Sequence, residues 1–151
     1  MSHQYFVNIK VNSSEITKPL FIHFFIGTIP SPPSSWSTAP TLAGTYAAMA
    51  HTNGMVVGQV ALTHALMGVR FADLSPQHVV PYLSTQLGYR IQKLDGCAVE
   101  VGEVESLRVG VVGREVELVE GEDRFPRYGP LVEYGMATRR LRASVRRGEG
   151  V

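Results

Sequence analysis

The stretch Lys18 to Ile26, KPLFIHFFI, constrains the fold more than any other part of the chain. In an extended strand Leu20, Ile22, Phe24 and Ile26 fall on one side, and Phe21, His23 and Phe25 on the other. A segment apolar on both sides must be covered on both, so this is the central strand of a larger assembly, ended by Gly27. Gln4 to Asn12 sets Tyr5, Val7, Ile9 and Val11 against Phe6, Asn8 and Lys10, the alternation of a half-buried strand.

More extended segments follow. Gly88 to Leu94, Ala98 to Val101 and Ser106 to Val119 read as strands, with Asp95-Gly96 as a hairpin turn. Thr41 to Ala50 and Val56 to Leu66 are two further strand-like runs joined by the turn signal His51-Thr52-Asn53-Gly54. Thr28 to Pro40, TIPSPPSSWSTAP, is a loop, since its prolines remove donors and fix φ. Leu74 to Leu87 is the one helix the pattern predicts. Ser75 is its cap and Pro76 suits its first turn, while Pro81 is expected to divide it into two short pieces. The end of the chain, RRLRASVRRGEG, reads as a basic tail, mobile or lightly docked. Many short strands, one interrupted helix and no βα alternation predict a mostly β fold, an antiparallel β-sandwich or barrel. The domain is expected over residues 1–138, with the tail over 139–151.

With 151 residues, 44% of them apolar, the chain has the material for one core. Its formal charge of +1, well mixed along the sequence, argues against nucleic acid as a partner. Cys97 is the only cysteine, so no internal disulfide can form, which suits a reducing compartment. The N-terminus lacks the basic and apolar regions of a signal peptide, and no run approaches a membrane span. A cytoplasmic location is expected, with no membrane partner.

The histidines are His3, His23, His51, His64 and His78. No two have the i, i+4 spacing of a metalloprotease helix, and there is no Cys-x-x-Cys, P-loop or dinucleotide fingerprint. No metal and no cofactor is therefore expected. His23, between Phe21 and Phe25, reads either as a proton-transfer group in an apolar pocket or as a packed, hydrogen-bonded histidine. His64 follows a strand-like run and is either a cavity-lining or a structural residue. Tyr46, Met49 and His51 share one segment, in which tyrosine can donate a hydrogen bond and methionine can fill a ligand pocket. Tyr89, Arg90 and Gln92 alternate on another strand, where a guanidinium could bind a carboxylate or enolate, or simply face solvent. Trp36, in its proline loop, is a partner anchor, a lid, or a plug that pins the loop to the core.

Eight pieces in order resemble the C-terminal domain of fungal tyrosinases, the part that follows the copper-bearing helical domain. They are FIHFFIG at Phe21 to Gly27, the Pro-containing loop with Trp36, APTLAGTYAAMA at Ala39 to Ala50, and VGQVALTHAL at Val57 to Leu66. VVPYL at Val79 to Leu83, YRIQKLDG at Tyr89 to Gly96, SLRVGVV at Ser106 to Val112 and FPRYG at Phe125 to Gly129 complete the set. The resemblance runs from about residue 5 to 138. It implies an antiparallel β-sandwich or barrel that shields a dicopper site and inserts a bulky side chain where substrate would bind. It also implies a Cys-x-x-Cys that helps to deliver copper. On this resemblance the chain starts where the shielding domain starts, without the copper domain. His51-Thr52-Asn53-Gly54 stands where the cysteine loop is expected, Tyr46 where the family has a histidine, and Met49 where it has the blocking aromatic ring.

Two functions suit these features. In the first, a repurposed β-barrel binds a small apolar or phenolic molecule and acts as a cofactor-free cyclase or isomerase in fungal secondary metabolism. Tyr46, His51, His64 and His23 would then be the catalytic candidates, and Met49, Trp36, Tyr89, Arg90 and Gln92 the ligand-binding ones. In the second, the chain is non-catalytic and shields or stabilises a tyrosinase-like copper enzyme in trans.

Overall fold

The computed structural model describes residues 2–16, 18–49, 54–71, 73–117 and 125–149. In chain order the strands are β1 (Ser2–Asn12), β2 (Leu20–Ile26), β3 (Leu42–Ala48), β4 (Met55–Ala61), β5 (Leu87–Lys93), β6 (Ala98–Val99), β7 (Arg108–Glu117), β8 (Arg127–Tyr128) and β9 (Val132–Glu133). Among the described residues three α-helices join them: α1 (Thr63–Met67), α2 (Pro76–Gln86) and α3 (Gly135–Glu149). The strands form two antiparallel sheets. The first has the order β4-β1-β7-β8, with β9 also on β7, and the second has the order β3-β2-β5-β6. This is the mostly β, antiparallel architecture that the alternation predicts.

The alternation of β1 decides which face is inside. Tyr5, Val7, Ile9 and Val11 are all buried, and they meet Leu20, Ile22, Phe24, Tyr89 and Ile91 of the second sheet in one core. The paired positions Phe24 and Tyr89 stack there at 5.9 Å between ring centroids. The Asp95-Gly96 turn forms as expected. Gly96 has φ +95°, a region that only glycine enters without strain, and Lys93 N–H donates to Cys97 O across the turn at 2.8 Å. Two strands are shorter than expected: β6 stops at Val99 before a 3₁₀ turn at Val101–Glu103, and β7 starts at Arg108.

The runs before and after His51-Thr52-Asn53-Gly54 belong to different sheets, β3 to the second and β4 to the first. Residues 51–53 themselves lie outside the described residues. Val56 to Leu66 is also two elements rather than one. The ladder of β4 against β1 ends as Leu62 N–H donates to Tyr5 O, and Thr63 Oγ1 accepts the Tyr5 N–H as α1 begins. His64 accordingly stands on a short helix, not at a strand end.

Helix α2 is continuous through Pro81, where two pieces were expected. Proline there removes one main-chain donor. Val79 and Leu83, on either side of it and four residues apart, are both fully buried, and their packing holds the two halves in line. Ser75 occupies the cap position, but its side chain makes no capping bond. The Asp73 carboxylate instead accepts the Ser75 N–H at 3.0 Å.

The expected boundary at residue 138 falls inside α3. Ala137 and Leu141 are fully buried in the main core. The helix also serves the part of β7 that β8 and β9 do not reach. Thr138 Oγ1 accepts the Val111 N–H at 2.9 Å, Tyr134 N–H donates to Val111 O at 2.9 Å, and Arg142 Nε–H donates to Val109 O at 3.2 Å. Main-chain groups that would form an open sheet edge are thus satisfied by helix groups. Replacing Leu141 by Ala should lower stability by about 2–5 kcal/mol in urea unfolding. A loss within error of zero would show that the helix is not part of the folded unit.

Candidate functional site

The outer face of the second sheet gathers His23, Arg90 and Gln92. His23 is paired across the strands with Thr45 on one side and Arg90 on the other, and Gln92 lies one pair along, opposite Phe21. The Gln92 amide nitrogen donates to Pro33 O at 3.0 Å and to Gly96 O at 2.9 Å. Its oxygen must then be the group that faces His23 Nε2 at 2.8 Å, so Nε2 carries a proton. On the other side of the ring, Nδ1 and Thr45 Oγ1 share a hydrogen bond at 2.8 Å. Every polar atom of the His23 ring is satisfied.

Trp36 closes this face. Its ring meets His23 and Phe25 edge-on at 6.3 and 6.4 Å, and its indole N–H donates to Pro30 O at 2.8 Å. His23 is 3% exposed and Trp36 6%. Of the readings open for these two residues, the geometry matches the packed histidine and the plug. Cutting Gln92 to Ala would orphan His23 Nε2 and two carbonyls. It should cost about 1–3 kcal/mol and speed proteolytic cleavage between Thr28 and Pro40. Unchanged stability and cleavage would mean that this network does not hold the loop.

Tyr46 faces the other way, toward the first sheet. Its ring lies on Gly58 of β4, so that a Cβ at 58 would collide with it. One step along, a Cβ at Gly44 would stand 2.6 Å from Val60 Cγ1. These two glycines let β3 and β4 approach closely and bring the two sheets together. Near this seam Met49, Met55 and Val57 are 45, 48 and 69% exposed, Val57 on the face of β4 away from the Tyr46 contact. Gly58→Ala should cost about 1–3 kcal/mol, and Tyr46→Gly should relieve part of that loss in the double variant. Strict additivity would show that ring and glycine do not interact.

Arg90 shares the outer face with His23, and the other described candidates lie apart. His64 is exposed on α1. Tyr89 is buried in the main core, and Arg90 Nη1 donates to the Tyr89 carbonyl at 2.8 Å. His51 lies outside the described residues. The structure therefore unites His23, Gln92 and Trp36, and sets Tyr46 and Met49 on the β3–β4 seam, away from His64. Thr45 and Gly58 are the partners that pattern reading missed. A glycine inside a strand was the available sign of close approach at 58. Another unpredicted pair is Tyr5 and Tyr134, 6.1 Å apart. Burial pushes both phenols up, helped for Tyr5 by Tyr134 and Asp73 and for Tyr134 by Glu115. The Tyr5 hydroxyl donates to Leu74 O, a structural use. Among the described residues, no three His, Cys, Asp or Glu side chains are grouped to hold a metal ion, and no helix is long and apolar enough to cross a membrane.

Comparison with known proteins agrees with this architecture. The tyrosinase of Neurospora crassa is 24% identical to the chain over 81% of its length, an alignment that takes in 20% of the relative. The chain thus spans about a fifth of that relative. Recombinant mushroom tyrosinase superposes with a TM-score of 0.68 at 23% identity, over 88% of this chain and 24% of that one. A structure of coexisting latent and active mushroom tyrosinase gives 0.66 at 21% identity, over 88% and 25%. At such identities these structures speak for the fold. The family model of the tyrosinase C-terminal domain matches residues 4–111, well over half of the sequence. The chain belongs to the tyrosinase C-terminal domain family.

Proposed function

We propose that the chain acts as a cover for a tyrosinase-type copper domain, applied through the β3–β4 seam. The observation that carries this reading is the exposure of Met49, Met55 and Val57 beside a rigid junction of the two sheets. Exposed apolar side chains on a fixed edge have area to bury against a partner. Methionine suits such a surface because its side chain adapts to irregular gaps.

The catalytic reading, a cofactor-free cyclase or isomerase acting on a small apolar or phenolic molecule, draws less support. It needs polar groups that converge on one cavity. Here His23 is consumed by its neighbours, the Tyr46 ring packs on Gly58, and His64 stands on another element.

The test is direct. Adding the pure chain to an active tyrosinase stripped of its own C-terminal domain should lower phenol oxidation in a saturable way. Met49→Ala should weaken the inhibition by up to about tenfold, the worth of one buried apolar side chain. Absence of both binding and inhibition at micromolar concentration would refute the covering role.

A further inference from the structure

We propose that the outer face of the first sheet is a binding site for a small polyanion, an organic molecule that carries two or more carboxylate or phosphate groups. The site adjoins the β3–β4 seam, whose Val57 and Gly58 also line it, but the cations that define it take no part in the covering role. It is a groove of about 640 Å³, within the range of small-molecule sites. Asn8 and Lys10 of β1, Gln59 of β4, Arg108 and Gly110 of β7, and Arg142 of α3 line it.

Its charge is unbalanced. Lys10 and Arg108 are directly opposite one another in the β1–β7 ladder, an arrangement that costs stability when nothing neutral or negative lies between them. Arg142 adds a third cation, against Glu133 as the one carboxylate in the lining. Among the described residues none of the three cations has a salt-bridge partner.

The two guanidinium groups are also held in place. Arg108 Nη1 donates to Glu105 O at 2.8 Å and Leu107 O at 3.0 Å, and Arg142 Nε donates to Val109 O at 3.2 Å. Each is oriented by main-chain carbonyls and keeps further N–H groups for a ligand, so little ordering is left for binding to require. Gly110 also lines the groove, and a Cβ there would stand 3.6 Å from Glu133 Oε1, the acceptor a ligand would have to displace or avoid. Arg114, on the same sheet face, is a contrast. Its Nε–H donates to Gln4 Oε1 at 2.9 Å, and its guanidinium lies over the Tyr128 and Phe6 rings at 4.1 and 5.3 Å. That arginine is already engaged.

The experiment is calorimetric titration of the whole chain at low ionic strength with citrate and with inorganic pyrophosphate, using acetate as the monovalent control. At least one polyanion should bind with a dissociation constant below about 1 mM, and acetate should not. Whichever probe binds more tightly identifies carboxylate or phosphate as the preferred group. Arg142→Gln and Lys10→Gln should each weaken binding by about tenfold, the loss of one charge-assisted contact, while Arg114→Gln should leave it unchanged. In the unaltered protein, the amide resonances of Asn8, Lys10 and Gly110 should shift on titration, a readout that does not depend on any variant folding. No saturable binding, equal affinity in all variants, or shifts confined to other residues would overturn the proposal. Binding of an acidic peptide through these residues, with neither small polyanion bound, would overturn it as well.

Discussion

A strand that is apolar on both faces has to be buried twice, and this chain solves that requirement for β2 in two different ways. One face meets the first sheet in an ordinary core of aliphatic and aromatic side chains. The other is covered by the proline-bearing segment Thr28 to Pro40, a loop whose 3₁₀ turn Pro33–Thr38 presents Trp36 to His23 and Phe25. A loop is a poor lid by itself, because its main-chain groups need partners. Gln92 supplies part of the answer by donating to Pro33 O, and the indole N–H does the same at Pro30. The buried histidine is then the device that orients Gln92, which in turn holds the loop that buries the histidine.

Closing the sandwich raises a second problem, that of its open sides. At one side β3 and β4 approach so closely that glycine is needed at 44 and 58. At the other, β7 receives only two-residue strands along part of its length. Thr138 and Arg142 of α3, with the amide of Tyr134 just before it, satisfy the main-chain groups of Val111 and the carbonyl of Val109. A helix that bonds a strand edge through side chains is a less regular solution than another strand. It also brings Arg142 alongside Arg108, so that closing the edge collects positive charge on the outer face.

These two solutions explain what the sequence could reveal. The alternation in β1, the doubly apolar β2 and the Asp95-Gly96 turn are local patterns, and each was legible. Helix α3 was not, because its inward contacts rest on Ala137 and Leu141 within an arginine-rich segment. The division of Val56 to Leu66 between β4 and α1 was hidden by an apolar run without clear periodicity, which suits either state. Pro81 misled because burial of Val79 and Leu83 outweighs one missing hydrogen bond. The polar cluster was half legible. His23 stood out between two phenylalanines, but its partners Thr45 and Gln92 lie 22 and 69 residues away, and no spacing rule joins them.

The same cluster bears on what kind of function the domain can have. A general base needs an unshared acceptor within reach of a substrate proton. Gln92 Oε1 accepts the hydrogen bond from Nε2–H and Thr45 Oγ1 occupies Nδ1, while Trp36 covers the ring, so substrate access would require the proline loop to leave. Opening it would strand Gln92 Nε2 without Pro33 O and expose Phe25 and Trp36 to water. The energetic arrangement therefore favours a face that stays shut. The seam stays accessible, with Met49, Met55 and Val57 exposed beside strands that meet where Tyr46 lies on Gly58. A rigid edge with adaptable side chains is suited to pressing against another protein surface, and that use asks nothing of the buried histidine beyond holding the sheet closed.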